Sequence, residues 1–143
     1  REPISAHQAA ITEGPEINVD SIVLPQSQNA ILCETAGGIM SPLSYEKSNL
    51  DLMQQLDLPV ILVVRNYLGS INHTLMSIEL LKQKCNLLGL IISGDSQQYS
   101  EQAYEQLGDV KILHRIPELQ NLNETIINQE AINLREALKG VMI

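Results

Sequence analysis

Two short stretches hold residue types that can meet charged ligands. In "ETAGGIMSP", Glu34–Pro42, an acid stands at the end of the apolar run Ala30–Cys33 and is followed by Gly37 and Gly38. A carboxylate there can hold Mg²⁺ through one or two contacts while phosphate oxygens complete the shell, and glycine amides can approach an anion closely. The same pattern also suits a strand-end charge before an ordinary glycine turn. In "RNYLGSINHT", Arg65–Thr74, Gly69 permits close approach, Ser70 is placed to cap a helix, and Asn72 can add a side-chain donor. Amides at such a helix start face an anion such as a carboxylate, although a capped helix with no ligand is an equally ordinary use of the pattern. His73 reads as an exposed first-turn residue, and His7 and His114 have no partners at metal-ligand spacing.

Both stretches need elements to aim them. Ala30–Cys33, the run "VILVV" from Val60, "LLGLIIS" at Leu87–Ser93 and "VKILHRI" from Val110 read as four buried strands. Between them "NLDLMQQL", Asn49–Leu56, has apolar residues at helical spacing and stops before Pro59. From Ile71 a stripe of Leu75, Ile78, Leu81 and Cys85, widened by Met76 and Leu80, marks a core-facing helix whose Thr74, Ser77, Glu79 and Lys82 point outward. A helix over Ser100–Leu107 places one of Tyr99 and Tyr104 inside and the other outside, and a last helix runs from an Asn123 cap to a stop at Gly140. Residues 1–28, broken by Pro3, Gly14, Pro15 and Pro25, form a lead-in with a short helix near Ala6–Ile11. Strands alternating with helices specify an α/β fold with a mainly parallel sheet covered on both faces. Its ligands belong at the carboxyl ends of the strands. Besides the two opening stretches, Ser93–Gln98 and Arg115–Leu119 then fall on that edge.

Composition narrows the class further. The 143 residues fit one domain, and with 44 % hydrophobic residues but no Trp or Phe the core must come from Leu, Ile, Val and Met. A formal charge of −8, without a Lys/Arg cluster, argues against nucleic acid or an anionic membrane as partner. No apolar run approaches the length of a membrane span. Cys33 and Cys85 lie far apart in apolar contexts and read as reduced, buried thiols of a cytoplasmic protein. The start at Arg1, in "REPISAH", reads as a cut.

Taken together, "ILCETAGGIMSPLS", "LPVILVVRNYLGSINHTLMSIELLK", "LGLIISG" and "VKILHRIPEL" resemble the carboxyl-terminal two-thirds of dethiobiotin synthetase, in order and in approximate spacing. The "LGSINHT" block is the most specific piece. The resemblance implies a P-loop-type, Rossmann-like three-layer α/β fold and a cytoplasmic homodimer. It also implies a Mg²⁺- and ATP-dependent ligase of biotin synthesis that carboxylates 7,8-diaminononanoate with CO₂ and closes the ureido ring. On that likeness Glu34 matches a Mg²⁺ ligand, and Gly37 and Gly38 line the phosphate and substrate side. Gly69, Ser70 and Asn72 match positions that bind the substrate's carboxylate tail across the dimer interface. Ser93 falls at a position that reads the adenine edge, and Pro117, Glu118 and Leu119 border the adenine. No catalytic residue is assigned. Three residues depart from the family pattern: Thr35 replaces the first glycine of the motif, Ser93 stands where many members have an adenine-reading asparagine, and Ala6 replaces a proline.

The chain contains no G-x-x-x-x-G-K-[ST] loop. In the family that loop lies upstream, so residues 1–143 read as part of a larger P-loop domain, its sheet incomplete on the amino-terminal side and inactive alone. Two other classes share the pattern: a catalytically silent dimeric binding module, and an amidoligase-like P-loop enzyme related to cobyrinate synthases. "GSINHT" separates the first reading from the last.

Overall fold

The computed structural model describes residues 4–141, so Pro3 of the lead-in, with Arg1 and Glu2, lies outside the described residues. The chain divides into two compact units, Arg1–Leu58 and Pro59–Ile143.

The first unit carries α1 (Ala6–Glu13), a single 3₁₀ turn at Val19–Ser21 and α2 (Asn49–Leu56). Gln55 Nε2 ties α2 to the lead-in by donating to the Val19 and Ile22 carbonyls, at 3.2 and 2.8 Å. The α2 start is closed by Asp51, whose carboxylate accepts from the Ser48 N–H at 2.7 Å and the Ser48 hydroxyl at 2.6 Å. These bonds hold the Asp51 carboxyl below the usual carboxylate range, against a smaller opposing effect of desolvation. At the other end Asp57 adopts a left-handed conformation and stops the helix two residues before Pro59.

The expected strand at Ala30–Cys33 does not form. Those residues are irregular and exposed, Leu32 to 97 %, and Cys33 is exposed rather than buried. A strand keeps its backbone satisfied only beside a paired neighbour, and among the described residues this segment pairs with no strand. Its β-prone composition alone does not hold it extended in a core.

The second unit holds a parallel sheet of β1 (Val60–Arg65), β2 (Leu87–Ser93) and β3 (Ile112–Ile116), in that order. Helices α3 (Ser70–Lys84) and α4 (Gln98–Gly108) make the two crossovers and pack on each other, and α5 (Glu124–Leu138) lies against β3. Val64, Ile78, Leu90, Ile92 and Tyr104 form the buried centre, with Leu62, Leu75, Leu87, Val110 and Ile112 around it. The expectation of a core from Leu, Ile, Val and Met is corrected at two points, since methionine is absent from that centre and Tyr104 is in it; the ring is retained because its hydroxyl finds partners. Thr74 is buried rather than outward, since the α3 stripe that meets the sheet runs Ser70, Thr74, Ile78, Leu81. Cys85 is half-buried. Tyr104 inside and Tyr99 outside match the one-in, one-out expectation. Asn123 caps α5 as expected, its Oδ1 accepting from the Ile126 N–H at 3.0 Å. On the side of β1 opposite the core, Val63 is 63 % exposed.

Candidate functional site

In the second unit the three strands end level. Arg65 pairs with Ser93 and Ser93 with Ile116, so the segments that follow β1, β2 and β3 leave one edge side by side. Ligands of open parallel sheets sit at this edge. It brings together Gly69, Ser70 and Asn72 after β1, Ser93 at the tip of β2, and Pro117, Glu118 and Leu119 after β3.

The turn between β1 and α3 is open to solvent. Gly69 is the helix N-cap, with φ +99°, a left-handed value that favours glycine. Tyr67, Leu68, Gly69, Asn72 and His73 are exposed, and no side chain caps the amides that begin α3. Ser70 is thus the first helical residue and not the cap. Its N–H donates to the Tyr67 carbonyl at 2.9 Å, and its hydroxyl lies 3.1 Å from the Tyr104 hydroxyl, only 1 % exposed. His73 Nδ1 sits 2.8 Å from the Tyr67 hydroxyl. The arrangement leaves a free positive helix end at the sheet edge, which suits a carboxylate or phosphate oxygen.

The residues expected beside adenine also converge. The Gly94 N–H donates to the Ile116 carbonyl at 2.8 Å, drawing the end of β2 to the end of β3. Arg65 reaches across the edge to Glu118 at 3.4 Å, an exposed pair that contributes little stability by itself. Ser93, the last residue of β2, and Leu119, in the segment after β3, are half-buried, with Pro117 and Glu118 exposed. This grouping fits a flat, partly apolar ligand lying over the strand ends.

Behind the edge lies a network that sequence reasoning missed. Glu101, on the first turns of α4, is only 5 % exposed. Its carboxylate accepts from the Gln97 N–H at 2.9 Å, Ser96 Oγ at 3.4 Å and Asn66 Nδ2 at 3.4 Å, and pairs closely with Arg115 on β3. Burial by itself would raise the Glu101 carboxyl. The Arg115 guanidinium, the Gln97 N–H and the Ser96 hydroxyl outweigh it and hold the group below its ordinary value. Tyr104, one turn on, donates to Asn66 Oδ1 at 3.1 Å. The signal for this network was faint: Glu101, Tyr104 and Gly108 stand at i, i+3 and i+7, which puts an acid on the buried stripe of an otherwise ordinary helix.

In the first unit, Glu34, Gly37 and Gly38 share one irregular segment and are exposed. Its shape is set by Asn49, also unforeseen, which is buried at the start of α2 and donates from Nδ2 to the Ala36 and Gly38 carbonyls at 3.0 and 2.9 Å. Thr35 turns its hydroxyl onto the Gly37 carbonyl at 3.2 Å. Gly37 has φ +86°, and a Cβ there would meet Ser41 Oγ at 2.7 Å, so glycine is required. Among the described residues no three His, Cys, Asp or Glu side chains converge on a common point. A single exposed carboxylate nevertheless fits Mg²⁺, which takes one or two protein carboxylates and fills its octahedron with phosphate and water oxygens.

Comparison with known proteins gives the family. A family model described as "AAA domain" matches residues 1–125. The chain is 41 % identical over 137 residues to the ATP-dependent dethiobiotin synthetase BioD of Christiangramia forsetii, covering 95 % of this chain and 66 % of that protein. The proteins of the same name from Lawsonia intracellularis and Paramagnetospirillum magneticum are 38 % and 40 % identical, over 100 % and 82 % of this chain and 70 % and 58 % of their own lengths. The chain therefore spans roughly three-fifths to two-thirds of the curated relatives it matches. A parallel α/β sheet, a match to a P-loop NTPase family over most of the chain and this degree of identity lead to one conclusion: the chain belongs to the dethiobiotin synthetase family.

Proposed function

We propose that the protein to which these residues belong is a dethiobiotin synthase, carboxylating 7,8-diaminononanoate with CO₂ and closing the ureido ring at the expense of ATP. The single observation that carries this reading is the open start of α3. The turn residues Tyr67–Gly69 and Asn72 are exposed at the strand-end edge, no side chain caps the helix start, Gly69 has a φ that favours glycine, and relatives at about 40 % identity are named for this reaction.

In this reading the substrate's carboxylate tail is met at the Gly69–Ser70 turn by amides that begin α3 other than that of Ser70, whose N–H is taken by the Tyr67 carbonyl, and by the exposed Asn72 side chain, at a boundary between two copies of the chain. Exposed Tyr67, Leu68 and Met76 around the turn support such a boundary, since apolar side chains grouped at one place suit a partner surface. Ser93, Pro117, Glu118 and Leu119 border the base of the nucleotide. Glu34 contributes one ligand to Mg²⁺, with Gly37 and Gly38 on the phosphate and substrate side. The nucleotide supplies the phosphoryl group that activates the carbamate for ring closure, and Mg²⁺ offsets the charge of the phosphates. The chain's own residues orient the diamine, exclude water from its tail and hold the base. Residues 1–143 form part of a single α/β domain, and a cytoplasmic setting completes the proposal.

The test is product formation by the complete protein supplied with diaminononanoate, bicarbonate and Mg-ATP. Dethiobiotin detected by mass spectrometry in step with ADP is the expected result. Absence of product with an intact, folded protein overturns the reading.

A further inference from the structure

The hydrogens of the network behind the β1–α3 turn can be ordered from chemistry alone. Asn66 Nδ2 faces the Asp95 carbonyl at 3.3 Å and Glu101 Oε1 at 3.4 Å, both acceptors. The opposite amide orientation would set an oxygen against them, so Oδ1 points to Tyr104 and accepts its hydroxyl hydrogen at 3.1 Å. A tyrosine hydroxyl has one hydrogen. The 3.1 Å contact between Tyr104 and Ser70 is therefore made by the hydrogen of Ser70. A directed relay results, from Ser70 to Tyr104 to Asn66 to Glu101, ending on a carboxylate fixed by Arg115 and the Gln97 N–H.

Two consequences follow for the turn. Ser70, 1 % exposed, spends its hydroxyl hydrogen inward and has none to offer a ligand, so a carboxylate at the α3 start is met by backbone amides and Asn72. The aim of those amides is set from below by a helix distant in sequence. Buried relays of this kind fix one geometry because every alternative leaves a polar group unpaired.

We propose that Tyr104, backed by Glu101, is the positioning residue of the anion-binding turn, and that Ser70 acts through it instead of touching substrate. The ligand's identity rests on the dethiobiotin reading; the positioning role does not.

Tyr104→Phe in the complete protein keeps the buried ring and removes the relay's middle hydroxyl. Amide hydrogen exchange at residues 67–73 is expected to rise about tenfold while β2 stays protected, and KM for the diamine to rise about tenfold with KM for ATP and kcat within about twofold. Ser70→Ala should shift both readouts the same way, and the double variant should be no worse than Tyr104→Phe alone, because both break one relay. Unchanged exchange at the turn, equal rises in both KM values, or additive single effects would overturn the proposal. If Tyr104→Phe does not fold, Ser70→Ala alone decides. If the unaltered protein does not turn over the diamine, the functional reading fails, and exchange at the turn still decides the positioning role.

Discussion

At the scale of single residues, the pairing of Glu101 with Arg115 makes a pH signature. Its carboxyl is held below the ordinary value in the fold, so the stabilisation is present above the unfolded pKa of about 4.3 and is lost as pH falls through the lower folded value. Glu101→Gln should lower stability at pH 7 and flatten its decline below about pH 5, as read from urea midpoints at several pH values. A variant whose acid limb matched the parent would remove the ion pair from the account. Gly69→Ala places a side chain at φ +99° and is expected to cost about 1 to 2 kcal/mol in denaturant unfolding. Asn72→Asp sets a negative charge against the proposed carboxylate and should raise KM for the diamine more than tenfold, leaving KM for ATP alone. The place of Gly69 and Asn72 at an exposed helix start was legible in the sequence, because a glycine between an apolar run and a polar helix opening marks such a boundary. Glu101 and Asn66 were not, since an acid in a polar stretch and an asparagine after a strand look like solvent-facing residues until partners such as Arg115, 14 residues from Glu101, and Tyr104, 38 residues from Asn66, are folded against them.

Elements were read well where the pattern was local. Asn49–Leu56 and Leu87–Ser93 match the expected bounds, and the bounds of α3, α4, α5 and β3 differ only at their ends, although the face α3 buries is turned, with Thr74 inside and Met76 exposed. Hydrophobic spacing and caps act over a few residues, which is why they can be read directly. Asn123→Ala should cost about 1 kcal/mol and speed amide exchange in the first turn of α5, since the Ile126 N–H loses its acceptor. Ala30–Cys33 shows the limit of local reading. Its composition suits a strand, yet a strand exists only as one side of a pair, and here the segment is exposed and unpaired among the described residues. The glycine segment beside it takes its shape from Asn49 instead, a residue whose place at the head of α2 identified it only as a helix starter.

For the molecule as a whole, family membership rests on identity spread over nearly the entire chain, whereas activity depends on parts that meet from different places. Residues 1–143 expressed alone, lacking a phosphate-cradling lysine loop, are expected to release no ADP from ATP in the presence of diamine; measurable turnover would show that this length suffices. What the sequence determined by itself was the alternation of strand and helix, the parallel sheet it implies, and the motif that assigns the family, all properties of neighbours along the chain. Tertiary structure alone decided that Ser70 faces inward, that Tyr104 belongs to the core, and that one buried carboxylate ties three strand ends together. Those outcomes depend on which polar groups meet when water is removed, and no spacing within a single segment records that meeting.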